Sequence, residues 1–362
     1  MVKKAAVVLL LVASTAMWVG CVTRSSHVLY AALPQSSQIV AYREDPNSGI
    51  LTQLQVSPIT AGPGVQSLVV HPSGQFLYAA NSGENDVSLF TISSNGALSE
   101  TGSRQKVGIS PTLVAMDPGG KYLFVGDSGS NDIWVFSITV GSSGSPPTLT
   151  QIGTPFPAGL SPLNMKASAA GFVYVSGAGP QAGVAGYLEV LSLNPAATTS
   201  PLSIVQIAQP GVSPYGLTIS PDGSYLYTGN LGDNTISEFS IGSDGTLTTI
   251  PGSPIGETFT GPASVLVDNS GKYLYVANQQ SSGNIAAYSV GMDGALSLLT
   301  TSPFPTNAQP NFLATDVKGN YLFVGNLTKP VIESFNLAST GVLTEVATYP
   351  LASNASSIVI SP

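Results

Sequence analysis

The sequence predicts an all-β protein, a seven-bladed β-propeller whose four-stranded blades close into a ring. Three observations predict this fold. One aromatic phrase recurs seven times, each copy is followed by short β-rich segments and Gly-rich turns, and the last segment supplies a strand that the first repeat lacks. A period of about 40–50 residues is typical of radial repeats such as propellers.

The recurring phrase reads Gly-x-Tyr-Leu-Tyr-Val-x-Asn, with variants. Its central aromatic residues lie 46 to 53 residues apart, so one array accounts for nearly all of the 362 residues. The seven copies are His27–Leu33, Gln75–Asn81, Lys121–Asp127, Gly171–Gly177, Ser224–Asn230, Lys272–Asn278 and Asn320–Asn326.

The last full unit shows how one blade is built. Strong β-formers alternate with polar residues in four segments that Gly-rich turns separate, which is the pattern of four short strands. No segment after the N-terminal apolar run has a helical period. The four predicted strands of this unit are Asn311–Asp316, Tyr321–Gly325, Val331–Leu337 and Val342–Tyr349.

The ring is predicted to close through the end of the chain. The unit that begins at His27 has no first strand in front of it, and Ser356–Pro362 matches the first strands of the other units. If this segment completes the first blade, neither blade is left with an open inner edge. The other six predicted first strands are Gln66–His71, Thr112–Asp117, Leu163–Ser168, Tyr215–Ser220, Ala263–Asp268 and Asn311–Asp316.

Apolar residues of these strands are predicted to pack between neighbouring blades, where repeat proteins obtain their stability. The repeated Tyr and Phe residues are interpreted as part of this packing rather than as ligand-stacking groups. The fourth unit is irregular: Gly171–Gly177 lacks the terminal Asn, and Gly- and Pro-rich Ala178–Gly186 follows it. That loop either carries function or marks a tolerated insertion.

Charge is sparse and acidic in this chain. Only 8 % of the residues are charged, the formal net charge is −8, and no Arg follows Arg104. Nucleic acids and anionic membranes need clustered Lys and Arg, so binding to either is not predicted. With 43 % hydrophobic residues, the chain is predicted to be folded rather than disordered.

The N-terminus has the pattern of a targeting segment. Lys3 and Lys4 precede the apolar run Ala5–Met17, which is shorter than the ~20 residues of a membrane-spanning helix. Cys21, the only cysteine, follows that run, as in bacterial lipoprotein signals. We therefore expect residues 1–20 to be a signal peptide, 21–26 a lipidated linker and 27–362 the propeller. An ordinary secretory signal is the alternative.

Candidate catalytic groups are few. His71 occupies the turn-capping position at the end of a first strand, and His27 is expected to be a solvated side chain. The acidic loop residues have no calcium-binding spacing and are expected to cap turns, so no metal or cofactor is predicted. These acidic residues are Glu84, Asp86, Asp127, Asp132 and Asp233.

The repeats, for example Ile219–Tyr227 and Lys272–Asn278, resemble the YVTN-type propellers and most closely the lactonase family of seven-bladed propellers. That family includes a bacterial 6-phosphogluconolactonase and carboxymuconate lactonizing enzymes. The resemblance covers about residues 27–362. It implies the propeller fold and, for members that act as lactonases, a site of His, Glu and Arg around the channel mouth.

The positions that match those family residues hold other side chains. The family His follows a Pro at the start of a first strand, where this chain has Thr112 and Tyr215. The Glu and Arg follow the Asn that closes a second strand, where Ala178, Leu231 and Gln279 stand. These side chains cannot replace a general base or an anion clamp.

The predicted function is therefore that of an exported, lipid-anchored propeller that acts as a binding or interaction module at its channel-mouth face. A neutral polar ligand, a glycan or a peptide or protein partner is expected, with the membrane reached only through the anchor. The alternative is a lactone hydrolase with altered site residues. The candidate ligand-binding residues are Gln66, Thr112, Asp127, Tyr215, Asn230, Asn278, Gln279, Asn311 and Asn326.

Overall fold

The computed structural model describes residues 27–141, 145–159, 161–256, 259–279 and 282–362. The predicted signal peptide and linker, with Cys21, lie outside the described residues. The described residues form seven antiparallel sheets and contain no α-helix, which confirms the predicted fold class. No part of the described chain forms a helix long and apolar enough to cross a membrane.

Each blade contains four strands in the order inner, second, third and outer. The inner strands of blades 1 to 7 are β33 (Ser357–Ile360), β5 (Val65–Val70), β10 (Pro111–Met116), β15 (Pro162–Ala167), β19 (Pro214–Ile219), β24 (Pro262–Val267) and β29 (Pro310–Thr315). The second strands are β1 (Val28–Leu33), β6 (Phe76–Asn81), β11 (Tyr122–Asp127), β16 (Phe172–Gly177), β20 (Tyr225–Asn230), β25 (Tyr273–Asn278) and β30 (Tyr321–Asn326).

The third strands are β2 (Gln38–Glu44), β7 (Asp86–Ile92), β12 (Asp132–Thr139), β17 (Tyr187–Leu193), β21 (Thr235–Ile241), β26 (Asn284–Val290) and β31 (Val331–Leu337). The outer strands are β3 (Leu51–Gln53), β8 (Leu98–Glu100), β13 (Thr148–Gln151), β18 (Leu202–Ala208), β22 (Leu247–Thr249), β27 (Leu296–Leu298) and β32 (Leu343–Pro350). Five blades add a two-residue strand that pairs with the third: β4 (Ile59–Thr60), β9 (Gln105–Lys106), β14 (Phe156–Pro157), β23 (Ile255–Gly256) and β28 (Phe304–Pro305).

The C-terminal strand closes the ring as predicted. β33 pairs antiparallel with β1, and Tyr30 lies opposite Val359. Beyond the ladder, the Val28 amide donates to the Ser361 hydroxyl oxygen at 2.9 Å, and the Ser361 amide donates to the Val28 carbonyl oxygen at 2.9 Å. Backbone from the two ends of the described chain is therefore hydrogen-bonded within one sheet.

The core consists of seven apolar clusters, and each cluster is shared by two neighbouring blades. Leu217 and Val265 are buried in two of these clusters, and Tyr227 is fully enclosed between blades 5 and 6. Burying a large apolar side chain contributes about 1.5–3 kcal/mol, so the stability is distributed around the ring. The interpretation of the repeated aromatic residues as blade-to-blade packing is confirmed.

Candidate functional site

A β-bulge recurs at the same place in six inner strands. In blade 3, Pro111 pairs with Asp127 and Leu113 with Gly126, which leaves Thr112 as the extra, unpaired residue. A bulge re-aims one side chain and is common beside functional sites. The six bulged residues are Gln66, Thr112, Leu163, Tyr215, Ala263 and Asn311.

All six bulged residues line one central cavity of about 670 Å³, together with Ser356 from the inner strand side of blade 1. We call this cavity the channel. Its wall continues along the inner strands to residues such as Leu217 and Val265. The wall therefore offers amide, hydroxyl and phenol groups among apolar side chains.

The channel-mouth side chains are held by neighbouring blades. The Asn164 side-chain amide donates to the Tyr215 carbonyl oxygen at 3.1 Å, which links blades 4 and 5. The Ser356 hydroxyl donates to the Gln66 carbonyl oxygen at 2.7 Å, which links blades 1 and 2. These bonds hold the backbone of Tyr215 and Gln66 in place at the mouth, and a pre-formed backbone loses less conformational entropy on ligand binding.

Two predicted site residues from different blades meet at the mouth. The Gln279 side-chain amide donates a hydrogen bond to the side-chain oxygen of Asn311. Gln279 stands where the resemblance places the family's Arg, so an amide pair occupies that corner. Gln279 itself does not line the channel among the described residues.

The remaining candidates lie away from the channel wall. Asp127, Asn230, Asn278 and Asn326 are no more than 1 % exposed, and none of them lines the channel. The Asn230 amide, for example, donates to Thr235 Oγ1 at 2.8 Å and Ser237 Oγ at 2.9 Å, both on the adjacent third strand. These side chains tie the second strand to the third, so their contacts are structural.

The two histidines lie outside the channel. His71 Nδ1 contacts the Ser73 hydroxyl at 2.8 Å and its Nε2 contacts the Gly120 carbonyl oxygen at 3.1 Å, which fits the predicted turn-capping role. The expectation that His27 is solvated was wrong, because its exposure is 6 % and its Nδ1 lies 3.5 Å from Glu44. Burial raises the pKa of Glu44 to about 7 and lowers the pKa of His27.

Sequence reasoning missed the charged residue of the channel wall, Lys166 on β15. It is the only charged side chain among the described residues that line the channel. The available signal was a Lys inside a first strand, where the other six units have no charge. Within the described ranges, no group of three His, Cys, Asp or Glu side chains could hold a metal ion.

The chain is similar to known proteins over most of its length and most of theirs. A profile described as "Lactonase, 7-bladed beta-propeller" matches residues 20–159 and 188–300. A 6-phosphogluconolactonase from Erwinia tasmaniensis is 28% identical over 339 residues, covering 92% of this chain and 98% of that protein. A 6-phosphogluconolactonase from Cronobacter sakazakii is 29% identical over 316 residues, covering 75% of this chain and 92% of that protein.

Solved structures show the same fold at lower sequence identity. The periplasmic gluconolactonase of Pseudomonas aeruginosa superposes with a TM-score of 0.74 at 17% identity, covering 93% of this chain and 99% of that chain. A protein from Lactobacillus plantarum superposes with a TM-score of 0.75 at 17% identity, covering 92% and 99% of the two chains. The profile match covers more than half of the sequence, and the chain therefore belongs to the lactonase family of seven-bladed β-propellers.

Proposed function

We propose that this protein is an exported, lipid-anchored propeller that binds a polar ligand, best matched by a glycan, in the mouth of its channel. The observation that carries the proposal is the chemistry of the wall. Amide and hydroxyl side chains line it together with apolar side chains and Lys166, and the described part of the wall has no carboxylate or imidazole. Amides and hydroxyls donate to and accept from sugar hydroxyls, and they supply no general acid or base near neutral pH.

The ring arrangement supports a pocket for a compact ligand. The bulged residues approach the axis from six blades, and a cavity of 670 Å³ lies within the range of small-molecule sites. Tyr215 adds an aromatic face among the polar groups. An aromatic ring and several amides around one opening suit the apolar ring face and the hydroxyl edge of a sugar.

A panel of neutral mono- and oligosaccharides tests this proposal by calorimetric titration of the mature chain. Asn311→Ala and Tyr215→Ala are expected to weaken the binding of the best glycan at least about tenfold, the loss of one or two buried contacts. Thr248→Ala, on the exposed outer strand β22, serves as the control and should bind as the wild type does. Unchanged affinity in both channel variants would remove the site.

Lactone hydrolysis is the second candidate function, and one observation favours it. The curated relatives that match most of this chain are named 6-phosphogluconolactonase. Its test is hydrolysis of sugar and muconate-type lactones above the spontaneous rate. Lower activity of the Thr112→Val or Gln279→Ala variant would support hydrolysis at the positions of the family's catalytic residues. A rate equal to the spontaneous rate would leave ligand binding as the one proposed function.

A further inference from the structure

Lys166 interrupts a ring of equivalent uncharged residues. On the inner strand of each blade, one residue lies directly opposite the central aromatic residue of the second strand, and in blade 4 Lys166 faces Tyr174. The six equivalent residues are Val69, Ala115, Thr218, Leu266, Ala314 and Val359. The fold therefore does not require a charged residue at this position, since the other six blades form without one.

The Lys166 ammonium has no partner in the described structure. It makes no ion pair or hydrogen bond with a described side chain or carbonyl group, and the channel wall has no carboxylate in the described ranges. The Lys166 side chain is exposed to the channel, and desolvation by the surrounding blades lowers the pKa of its amine. A cation that lines a cavity without a counter-charge attracts anions, so an anion bound beside Lys166 would gain binding energy.

The number of charges limits the kind of anion. One Lys supplies one positive charge, and the chain has no Arg beyond Arg104 to form a bidentate clamp. Phosphate groups, which carry close to two charges at neutral pH, are usually held by more cations or by backbone nests. A single carboxylate matches the one ammonium group of Lys166. The amides and hydroxyls of the channel mouth match a ligand that is otherwise neutral and polar.

We propose that Lys166 binds the carboxylate of an acidic sugar, a uronic acid or a glycan that ends in one, with the sugar hydroxyls held at the channel mouth. This inference rests on the proposed function and specifies its ligand. It assigns two levels to one site: polar groups at the mouth recognise the sugar ring, and the lone amine below them recognises the acid.

A matched pair of probes tests the charge directly. D-galacturonate and D-galactose have the same sugar ring, but galacturonate has a carboxylate where galactose has a hydroxymethyl group. D-galactosamine serves as the cationic probe. In calorimetric titration the wild type is expected to bind galacturonate about tenfold or more tightly than galactose, as one charged hydrogen bond provides. Galactosamine should bind more weakly than galactose.

Substitutions assign the preference to the residue. Lys166→Met, which keeps the length and removes the charge, should equalise galacturonate and galactose, whereas Lys166→Arg should retain most of the preference. Lys272→Met, which changes an exposed lysine just before β25, is the matched control and should behave as the wild type. The preference for galacturonate should also shrink at alkaline pH, because the Lys166 amine loses its proton. Burial raises the pKa values of Tyr174 and Tyr215, so these two residues stay neutral there.

The outcomes separate this inference from the proposed function. Galactose binding at the mouth without any preference for galacturonate would overturn the role of Lys166 and leave the glycan site standing. Equal preference in the wild type and Lys166→Met would also overturn it. Tighter binding of galactose 6-phosphate than of galacturonate would overturn the carboxylate as the bound group and indicate a phosphate instead. If no sugar of either kind binds, both proposals fail.

Discussion

The Tyr227 hydroxyl crosses from blade 5 to blade 6 and donates a hydrogen bond of 2.8 Å to the carbonyl oxygen of Gly294. Three other repeats make the same contact with the next blade. These pairs are Tyr30 with Gly96, Tyr174 with Gly245 and Tyr275 with Gly341. In these four repeats the central tyrosine therefore fills the interface with its ring and satisfies a turn carbonyl of the next blade with its hydroxyl.

Removing this hydroxyl should weaken one interface measurably. Tyr227→Phe keeps the buried ring and deletes a buried hydrogen bond, so the free energy of unfolding should fall by about 1–2 kcal/mol in urea denaturation. Tyr225→Phe is the control, because its hydroxyl donates to Met292 at an exposed position and should matter less. Equal effects of the two substitutions would contradict the assigned difference in burial.

The ring closure gives a second stability prediction. Deleting residues 354–362 removes β33 together with the buried side chain of Ile358, which has 7 % exposure, and exposes the inner edge of β1. Loss of that side chain alone accounts for about 1.5–3 kcal/mol, and the lost ladder adds to it. We expect a clearly lower melting temperature by calorimetry. Deletion of exposed Pro362 alone should change little. An unchanged melting curve in the longer deletion would refute closure as a source of stability.

The repeat pattern predicted the blades and the packing of their aromatic residues, but not the hydrogen bonds between blades. The inner strand of blade 7 was predicted to begin at Asn311, and it begins at Pro310, because Pro310 pairs with Asn326 ahead of the bulge. Bulges have no sequence signal of their own here. The Tyr–Gly contacts join residues about 66–71 positions apart, so periodicity shows both partners without showing that they meet.

The candidate site was predictable only in part, because the repeat period determines the position of a residue but not the direction of its side chain. Position in the repeat identified the mouth residues, because the first residues of inner strands converge on the axis of any propeller. The Asn residues that end the second strands lie opposite the Pro residues that begin the inner strands, yet their side-chain amides turn away from the channel towards the third strand. Side-chain direction at a strand end depends on the local partners, and no period predicts that direction.

The lipid anchor remains a prediction from the N-terminal pattern, and one substitution tests it. Cys21→Ser should move the protein from the membrane pellet to the supernatant after cell fractionation, because each buried acyl methylene contributes about 0.8 kcal/mol to anchoring. Mass spectrometry of the N-terminal peptide should find lipid on Cys21 only in the wild type. A wild-type protein that is cleaved but carries no lipid would support an ordinary secretory signal instead.

Asp127 gives a prediction about pH. Where four other blades have a buried Asn that donates to the third strand, blade 3 has Asp127 beside Asp132. Burial, followed by the hydrogen bond and charge of Asp132, raises the pKa of Asp127 to about 8 from an ordinary value of 3.8. A protonated Asp127 can donate as the Asn amides do, for example Asn81 to Asp86 at 2.9 Å.

The sign of the pH dependence follows from proton uptake. Because the folded state holds the Asp127 proton more tightly than the unfolded state, its contribution to stability is complete below pH 4 and is lost as the pH rises towards 8. Asp127→Asn donates at every pH, so its free energy of unfolding should exceed that of the wild type by on the order of 1 kcal/mol at pH 8. The two proteins should converge near pH 4.

A second aspartate provides a control of opposite sign. The Ser220 hydroxyl donates to Asp222 at 2.6 Å and lowers the pKa of that exposed carboxylate. Asp222→Asn should therefore cost stability near neutral pH, with the difference fading as the pH falls through the lowered pKa. Urea denaturation from pH 2 to pH 9 measures both variants in one series. Equal stability of Asp127→Asn and the wild type at pH 8 would contradict the stabilising role assigned to the Asp127 proton.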